Sequence, residues 1–571
     1  MTGGVFMNYK EELSNLLSSR TNLEAQQIAS MLEVPPEMEM GDFALPCFKL
    51  AKVMRKAPPA IAQQIAASFE ELPSWLDRME VAGGYLNFFL SRSQFACDTL
   101  REIAEKQERY GSSEEGQGHN IVIDYSSINI AKPFHIGHLS TTVIGSALYK
   151  IFNFLGYHSV GVNHLGDWGT QFGKLISAYH RWGDHDTVEA GSIRALLDLY
   201  VRFHEEAEKD PSLEEEGRAW FKKIEDGDEE ALSLFAWFKE LTLREVSKIY
   251  DILDVHFDSY AGESFYNDKM QPVIEELQAK GLLEDSNGAK VVNLDAYDMP
   301  PCLILKSDGA TLYATRDLAA AFYRKQTYDF YKNLYVVAYQ QNLHFKQLFK
   351  VLELMGCDWA KDMEHVAFGM VSMTDGTLST RKGRVIFLED VIKAAIEKTR
   401  AIIEEKNPNL QDKDQTAQDI GVGALIYSTL SNSRIKDIVF DLDRILNFDG
   451  ETGPYVQYTY ARALSVLRKA AALPTAQADY SALTCPQAFA VIKLLAEFPE
   501  VIRRAAEKYE PFFITRHVTS LAQAFNKFYY DIRILDENAE ATAARIELVK
   551  ATATVIKTGL GLLGIHAPER M

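Results

Sequence analysis

The chain has 571 residues, 47% of them hydrophobic and 25% charged, with a formal net charge of −20. That length supplies several hydrophobic cores, about three to four domains as a prior, and contains no apolar run of membrane-spanning length and no secretory leader, so a cytoplasmic protein with no membrane partner is expected. The negative balance excludes a wholly basic nucleic-acid coat, although a local basic surface still binds RNA because phosphate contacts follow the local potential.

In chain order, the opening MTGGVF carries no structural signal, and Met7 reads as an alternative start. Residues 1–115 mix helical periodicity (YKEELSNLLSS, APPAIAQQIAASF) with a strand-like GYLNFFL, and close on the polar link YGSSEEGQGHN. This predicts a small α/β domain. From NIVIDYSS a β-branched run meets a loop, then the periodic TTVIGSALYKIFNFLG, then the short strand HSVGVNHLG. Strand, loop, helix and strand in that order are the sequence form of a parallel-sheet unit. A second unit follows in NLYVVAYQQ, LHFKQLFKVLELMG and HVAFGMVSM. Between them, residues 178–300 read as an insertion rich in charged helix, so the parallel-sheet domain is expected over 116–390. From Glu205 to Glu230 there are twelve acidic and four basic residues, which reads as a solvated helical face. Residues 391–571 read as an all-helical bundle.

The stretch SSINIAKPFHIGHLSTTVIG, Ser126–Gly145, carries the chemistry. A helix starting near Pro133, a residue favoured at a first helical position, places His135 and His138 three apart on one face. Unpaired N–H groups at such a terminus suit phosphate, Gly137 admits close approach of a nucleotide, and Lys132 adds a mobile point charge. A zinc reading lacks a third ligand at metal-site spacing, and HExxH is absent. Five scattered cysteines without a CxxC pair predict buried, reduced thiols. GLGLLG, Gly559–Gly564, matches GxGxxG but leaves seven residues after it, too few for a dinucleotide fold; it reads as a helix ending.

HIGH at this place resembles the first signature of class I aminoacyl-tRNA synthetases. With HLGDWGTQFGKL, LYATRDLAA, LSTRKG, GPYVQYTYAR and GIHAPERM, the chain from about residue 42 to its end resembles the arginyl-tRNA synthetases of bacterial type. The resemblance implies a Rossmann-type catalytic domain with an insertion, an N-terminal domain touching the tRNA elbow near the D-loop, and a helical anticodon-binding bundle. It implies ligation of L-arginine to tRNA(Arg) with ATP. Mg²⁺ would come with the ATP, with no dedicated protein metal site, no zinc and no DNA partner, in a monomer. Lys132, His135 and His138 would be catalytic; His135, Gly137, His138, Ser379, Arg381 and Lys382 would bind ATP. The second signature departs, with Thr380 at its second lysine position, and the lysine ahead of HIGH, here Lys132, takes over in such enzymes. Asp124, Asn129, Tyr313, Asp317 and Gln341 match arginine-binding positions. Asp317 is expected on the guanidinium and Asn129 with Asp124 on the α-amino end; Gln340 and Gln341 leave the register open. Tyr455, Tyr458, Arg462 and Lys527 are expected to meet tRNA, with about half of the bundle's aromatics serving as packing. Two other readings remain open: another nucleotidyltransferase of the HIGH superfamily, and a paralogue that binds RNA without catalysis.

Overall fold

The structure, a computed structural model, describes residues 5–306, 313–373 and 386–571. At the N-terminus the helices Val5–Thr21 and Pro58–Ala67 pack on an antiparallel sheet of β1 (Phe43–Pro46), β2 (Leu76–Ala82) and β3 (Tyr85–Leu90), in the order β1-β3-β2. Gly83, at φ 58°, makes the tight β2–β3 turn. The first helix begins at Val5, ahead of Met7.

The central sheet is parallel. It comprises β4 (Asn120–Asp124), β5 (His158–Val162), β9 (Phe330–Tyr335) and β10 (Met363–His365), in the order β10-β9-β4-β5. β4 reads as an unbroken apolar run because both sheet faces are covered: Ile121 and Ile123 enter one core, Val122 the other. The helix Gly137–Phe154 lies on the first face and the helix Tyr313–Tyr328 on the second. Gly145 lets the first of these sit down closely, since a Cβ there would fall 2.2 Å from the Tyr125 ring.

The span read as charged helix contains the helices His185–Ala207, Ser212–Asp226, Glu229–Ile252 and Met270–Ala279. It also contains strand: β6 (Leu283–Ser286) and β7 (Ala289–Val292) form an antiparallel sheet with β8 (Cys302–Leu305). The acidic run is only partly solvated. Glu214 meets Lys174 at 2.8 Å, and Glu216 pairs with Arg181 and accepts from Ser177 Oγ at 2.8 Å. Two glycines bring these helices into contact, a Cβ on Gly173 falling 2.0 Å from the Gly217 carbonyl.

Six long helices, Leu388–Lys406, Lys413–Leu430, Gly453–Ala470, Pro486–Glu507, Phe512–Asp531 and Ala539–Leu562, build the C-terminal part. It is not all helix: β11 (Val371–Met373) pairs in parallel with β12 (Ile438–Phe440), a three-residue strand too short to show a period. GLGLLG ends the last helix, Gly564 taking φ 77° just beyond it. All five cysteines are free; Cys47 and Cys302 are buried, and Cys97, Cys357 and Cys485 are only partly so.

Candidate active site

The loops that leave the C-terminal ends of β4 and β9 lie where an open parallel sheet usually binds its ligand. Tyr125–Ile136 leaves β4 through three non-glycine residues at positive φ, Ser126 (68°), Ser127 (44°) and Ala131 (57°). Side chains hold this unusual path. The Ser126 N–H donates to Thr141 Oγ1 at 3.0 Å, and Thr141 donates onward to the Val336 carbonyl at 2.7 Å. The Ala131 N–H donates to Thr242 Oγ1 at 3.1 Å, and Ser126 Oγ lies 2.7 Å from Tyr250 OH. Thr242 and Tyr250 belong to the helix Glu229–Ile252, so the insertion shapes the loop.

The helix starts at Gly137, not near Pro133. The strained loop consumes the intervening residues, and His135 forms an extended bridge with Phe387 instead of a helical turn. The two histidines still meet, their ring centroids 3.9 Å apart. The His135 N–H donates to His138 Nδ1 at 3.2 Å, and the Gly137 N–H donates to His135 Nδ1 at 3.1 Å. Both Nδ1 atoms are therefore acceptors, which puts each ring proton on Nε2. Burial lowers the His135 pKa; burial, then the His135 and Lys132 charges, lower that of His138 to about 3. At neutral pH both rings are uncharged Nε2–H donors. Lys132 is exposed beside them.

On the helix Tyr313–Tyr328, Asp317 is gripped by His344 Nε2 at 2.6 Å and lies 4.0 Å from His164 Nε2. Burial raises its pKa, but His344, His164 and Arg324 outweigh that and hold it below the ordinary carboxylate value. Asp317 is thus an ionised carboxylate. Asp124 ends β4 paired with Arg324 at 2.6 Å, with side chains only 6% and 1% exposed, and accepts from Ser127 Oγ at 2.6 Å. Burial opposes the Arg324 charge, yet Asp124, Tyr335 and Tyr266 keep it protonated. Tyr313 opens the helix that carries Asp317 and is 68% exposed; Asn129 and Gln341 are also exposed. Gln341 lies at the N-terminus of the helix Asn342–Leu354, three residues before His344. Ser379, Arg381 and Lys382 lie outside the described residues.

The sequence reading missed several groups here. Arg324 is seven residues, two helical turns, after Asp317, a spacing that shares a face. His164 and Asp167 sit in HLGDWG without an assigned role. Asp167 is fully buried, bonded to Lys239 Nζ at 2.6 Å and to the Ser264 N–H at 2.8 Å. Glu263 shows no signal in sequence; burial, with the charges of Asp317 and Asp167 against Arg316, pushes it up to about 7. Among the described residues, no group of three or more His, Cys, Asp or Glu could hold a metal ion.

A second candidate surface lies in the C-terminal bundle. Arg462 packs between two aromatic rings, its guanidinium 4.8 Å from the Tyr458 centroid and 5.2 Å from that of Tyr529. It pairs with Asn526, which also donates to Tyr455 OH at 3.0 Å. Beside it a cavity of about 670 Å³ is lined by Tyr458, Arg462, Arg468, Lys469, Tyr529 and Arg570 among others. Lys527 is exposed on the helix Phe512–Asp531, whereas Tyr460, Phe525 and Phe528 are buried packing residues.

Comparison with known proteins decides the family. The description "tRNA synthetases class I (R), catalytic domain" matches residues 99–442, "Arginyl tRNA synthetase N terminal domain" residues 7–90, and "DALR anticodon binding domain" residues 456–571. The chain belongs to the arginyl-tRNA synthetases. A curated relative from Halothermothrix orenii, named arginine–tRNA ligase, is 55% identical over 99% of this chain and 100% of the relative. One of the same name from Alkaliphilus metalliredigens is 54% identical over the same shares. The solved arginyl-tRNA synthetase of Thermus thermophilus superposes with a TM-score of 0.82 at 25% identity, over 99% of this chain and 100% of that one. That of Plasmodium falciparum gives 0.80 at 22% identity over the whole of both chains, a likeness of fold. The parallel-sheet catalytic part, the N-terminal domain and the helical anticodon-binding part of this synthetase follow the family plan.

Proposed function

We propose that the chain is an arginine–tRNA ligase working in the cytoplasm as a monomer. The arginine carboxylate attacks the α-phosphorus of ATP and pyrophosphate leaves. A hydroxyl of the terminal ribose of tRNA(Arg) then takes the arginyl group and AMP leaves. In-line displacement at phosphorus asks for alignment and charge stabilisation above all. The observation that carries this reading is that the loops at one end of the parallel sheet carry both two uncharged Nε2–H imidazoles at a helix N-terminus and an ionised carboxylate held by His344.

His135 and His138 donate to phosphate oxygens without adding cationic charge, Gly137 leaves its backbone open to the nucleotide, and Lys132 supplies the mobile charge. Ser379, Arg381 and Lys382 are assigned to ATP by sequence alone. Asp317 takes the guanidinium, whose fork matches a carboxylate as a lysine ammonium cannot. Tyr313 and Gln341 are assigned to arginine with it, and Glu263 adds a second carboxyl. Asn129 is assigned to the α-amino end. Asp124 shares that role through its remaining lone pairs, because Arg324 takes one oxygen and Ser127 Oγ the other. Mg²⁺ is assigned to the triphosphate, as the family resemblance implies. We assign residues 1–115 to the tRNA elbow and 391–571, with Tyr455, Tyr458, Arg462 and Lys527, to the anticodon; cations interleaved with aromatics suit splayed bases.

ATP–pyrophosphate exchange with arginine, run with and without tRNA, tests the reading. Exchange is expected only with tRNA present. Robust exchange without RNA, or with cysteine in place of arginine, refutes it.

A further inference from the structure

The insertion reaches the HIGH turn from a second side. Its helix His185–Ala207 breaks at Ser192, where φ 49° and ψ −130° depart from helical geometry. A non-glycine residue held at such a conformation marks a place where the fold imposes a position. Two residues on, the Arg194 guanidinium lies over the Phe387 ring, 4.1 Å from its centroid. The same group reaches Asp390 at 2.8 Å and Glu389 at 3.6 Å, both in the first turn of the helix Leu388–Lys406. A lone exposed ion pair is weak, but here stacking and two carboxylates act on one planar group.

Phe387 is the residue bridged to His135. The Leu388 N–H donates to the Phe134 carbonyl at 2.9 Å, and the Ile136 N–H donates to the Ile386 carbonyl at 3.3 Å. Residues 386–388 thus run antiparallel to Phe134–Ile136 and set the backbone that carries the His135 ring. A cavity of about 380 Å³, lined by Phe134, Ser192, Arg194, Phe387 and Glu389 among others, lies on this side, so packing alone does not wedge the Phe387 ring in place.

We propose that Arg194 is a positioning residue for nucleotide activation: by clasping Phe387 and the following helix turn it holds residues 386–388 against Phe134–Ile136 and so fixes where His135 presents Nε2–H. The insertion is thereby a structural part of the ATP half of the site, beyond its place in the chain. This rests on the ligase reading above.

The test is ATP–pyrophosphate exchange with tRNA present, titrating ATP and arginine separately in the full-length wild type, Arg194→Ala, Arg194→Lys and Phe387→Leu. Arg194→Ala is expected to lower kcat/KM for ATP about tenfold, the scale of a modest misplacement, while KM for arginine stays within about twofold. Arg194→Lys keeps the ion pairs but not the planar stack and recovers part of the loss. Phe387→Leu behaves like Arg194→Ala, and the double variant is no worse than the weaker single, because both break one contact. A merely structural role gives equal losses for both substrates and no rescue by lysine, which overturns the proposal, as do unchanged ATP kinetics in the single variants or an additive double. Should Arg194→Ala not fold, Arg194→Lys and Phe387→Leu decide by the same criteria. A wild type without arginine-dependent exchange defeats the ligase reading itself, whereas an active wild type with flat variants defeats only the role of Arg194.

Discussion

Asp317→Asn removes the negative charge proposed to meet the arginine guanidinium while keeping the side chain's size. In the wild type one carboxylate oxygen takes His344 Nε2 at 2.6 Å and the other lies 4.0 Å from His164 Nε2, so a guanidinium docking here completes an already oriented acceptor. Leaving a desolvated cation without its partner costs about 2–5 kcal/mol. The upper part of that range is not reached: losing the Asp317 charge lowers the His344 pKa and favours its uncharged ring beside the guanidinium, and Glu263 remains nearby. A loss of about 2–4 kcal/mol corresponds to a fall of about 30- to 700-fold in kcat/KM for arginine. Aminoacylation rates with arginine titrated to saturation measure it, and KM for ATP, expected to stay within about twofold, is the internal control. An arginine KM equal to the wild type's would refute the assignment and leave Asp317 as a helix-surface ion pair.

Three further outcomes are expected. His344 is half-buried, which opposes its charge, but its bond to Asp317 and that residue's charge outweigh burial and raise its pKa above 6.5. The stabilisation from this pair is complete below about 6.5 and disappears as pH climbs through the folded pKa, which frees Asp317 for guanidinium. Glu263, pushed up to about 7, ionises between about pH 6 and 8. kcat/KM for arginine therefore rises with pH between about 6 and 8, less steeply in His344→Gln or Glu263→Gln and least in the double variant; an unaltered profile in the double variant contradicts this. His517, buried in the helical bundle with its pKa lowered to about 4, binds no proton when folded until well below the unfolded value of 6.5. Stability is lost as pH falls between those values, about 2 kcal/mol from pH 7 to pH 5, so thermal melts of His517→Leu should shift less on acidification than the wild type's; equal shifts count against it. Tyr529→Ala removes one face of the Arg462 stack and should raise KM for tRNA about tenfold, the scale of one lost base–aromatic contact, with the small-substrate constants unchanged; a change in those constants instead would place the defect elsewhere.

Much of the site is legible along the chain because its parts are local. HIGH follows a β-branched strand and leads into a helix, so its place in the parallel-sheet unit is readable from three adjacent elements. Tyr313 and Asp317 share a helix face at a spacing of four residues. What escaped reading has a common physical origin. The helix start moved from Pro133 to Gly137 because Thr242, Tyr250 and Phe387, each remote in sequence, satisfy the loop's polar groups and hold it out of the helix. The Glu205–Glu230 acids divide between solvent and the helix Thr170–Trp182 because Gly173 and Gly217 let two backbones approach, which charge counting cannot reveal.

The sequence by itself determined the order of units, the parallel-sheet chemistry at HIGH and the residue types that suit a triphosphate and a guanidinium, since these depend on period, local sterics and side-chain chemistry. Only the tertiary structure decided which charges neutralise one another. Asp124 pairs with Arg324, two hundred residues away, while Asp317 is held by His344. The reason is that burial prices every charge by its surroundings: a carboxylate's role follows from the partners that long-range folding brings within hydrogen-bond distance, and spacing along the chain carries no record of them.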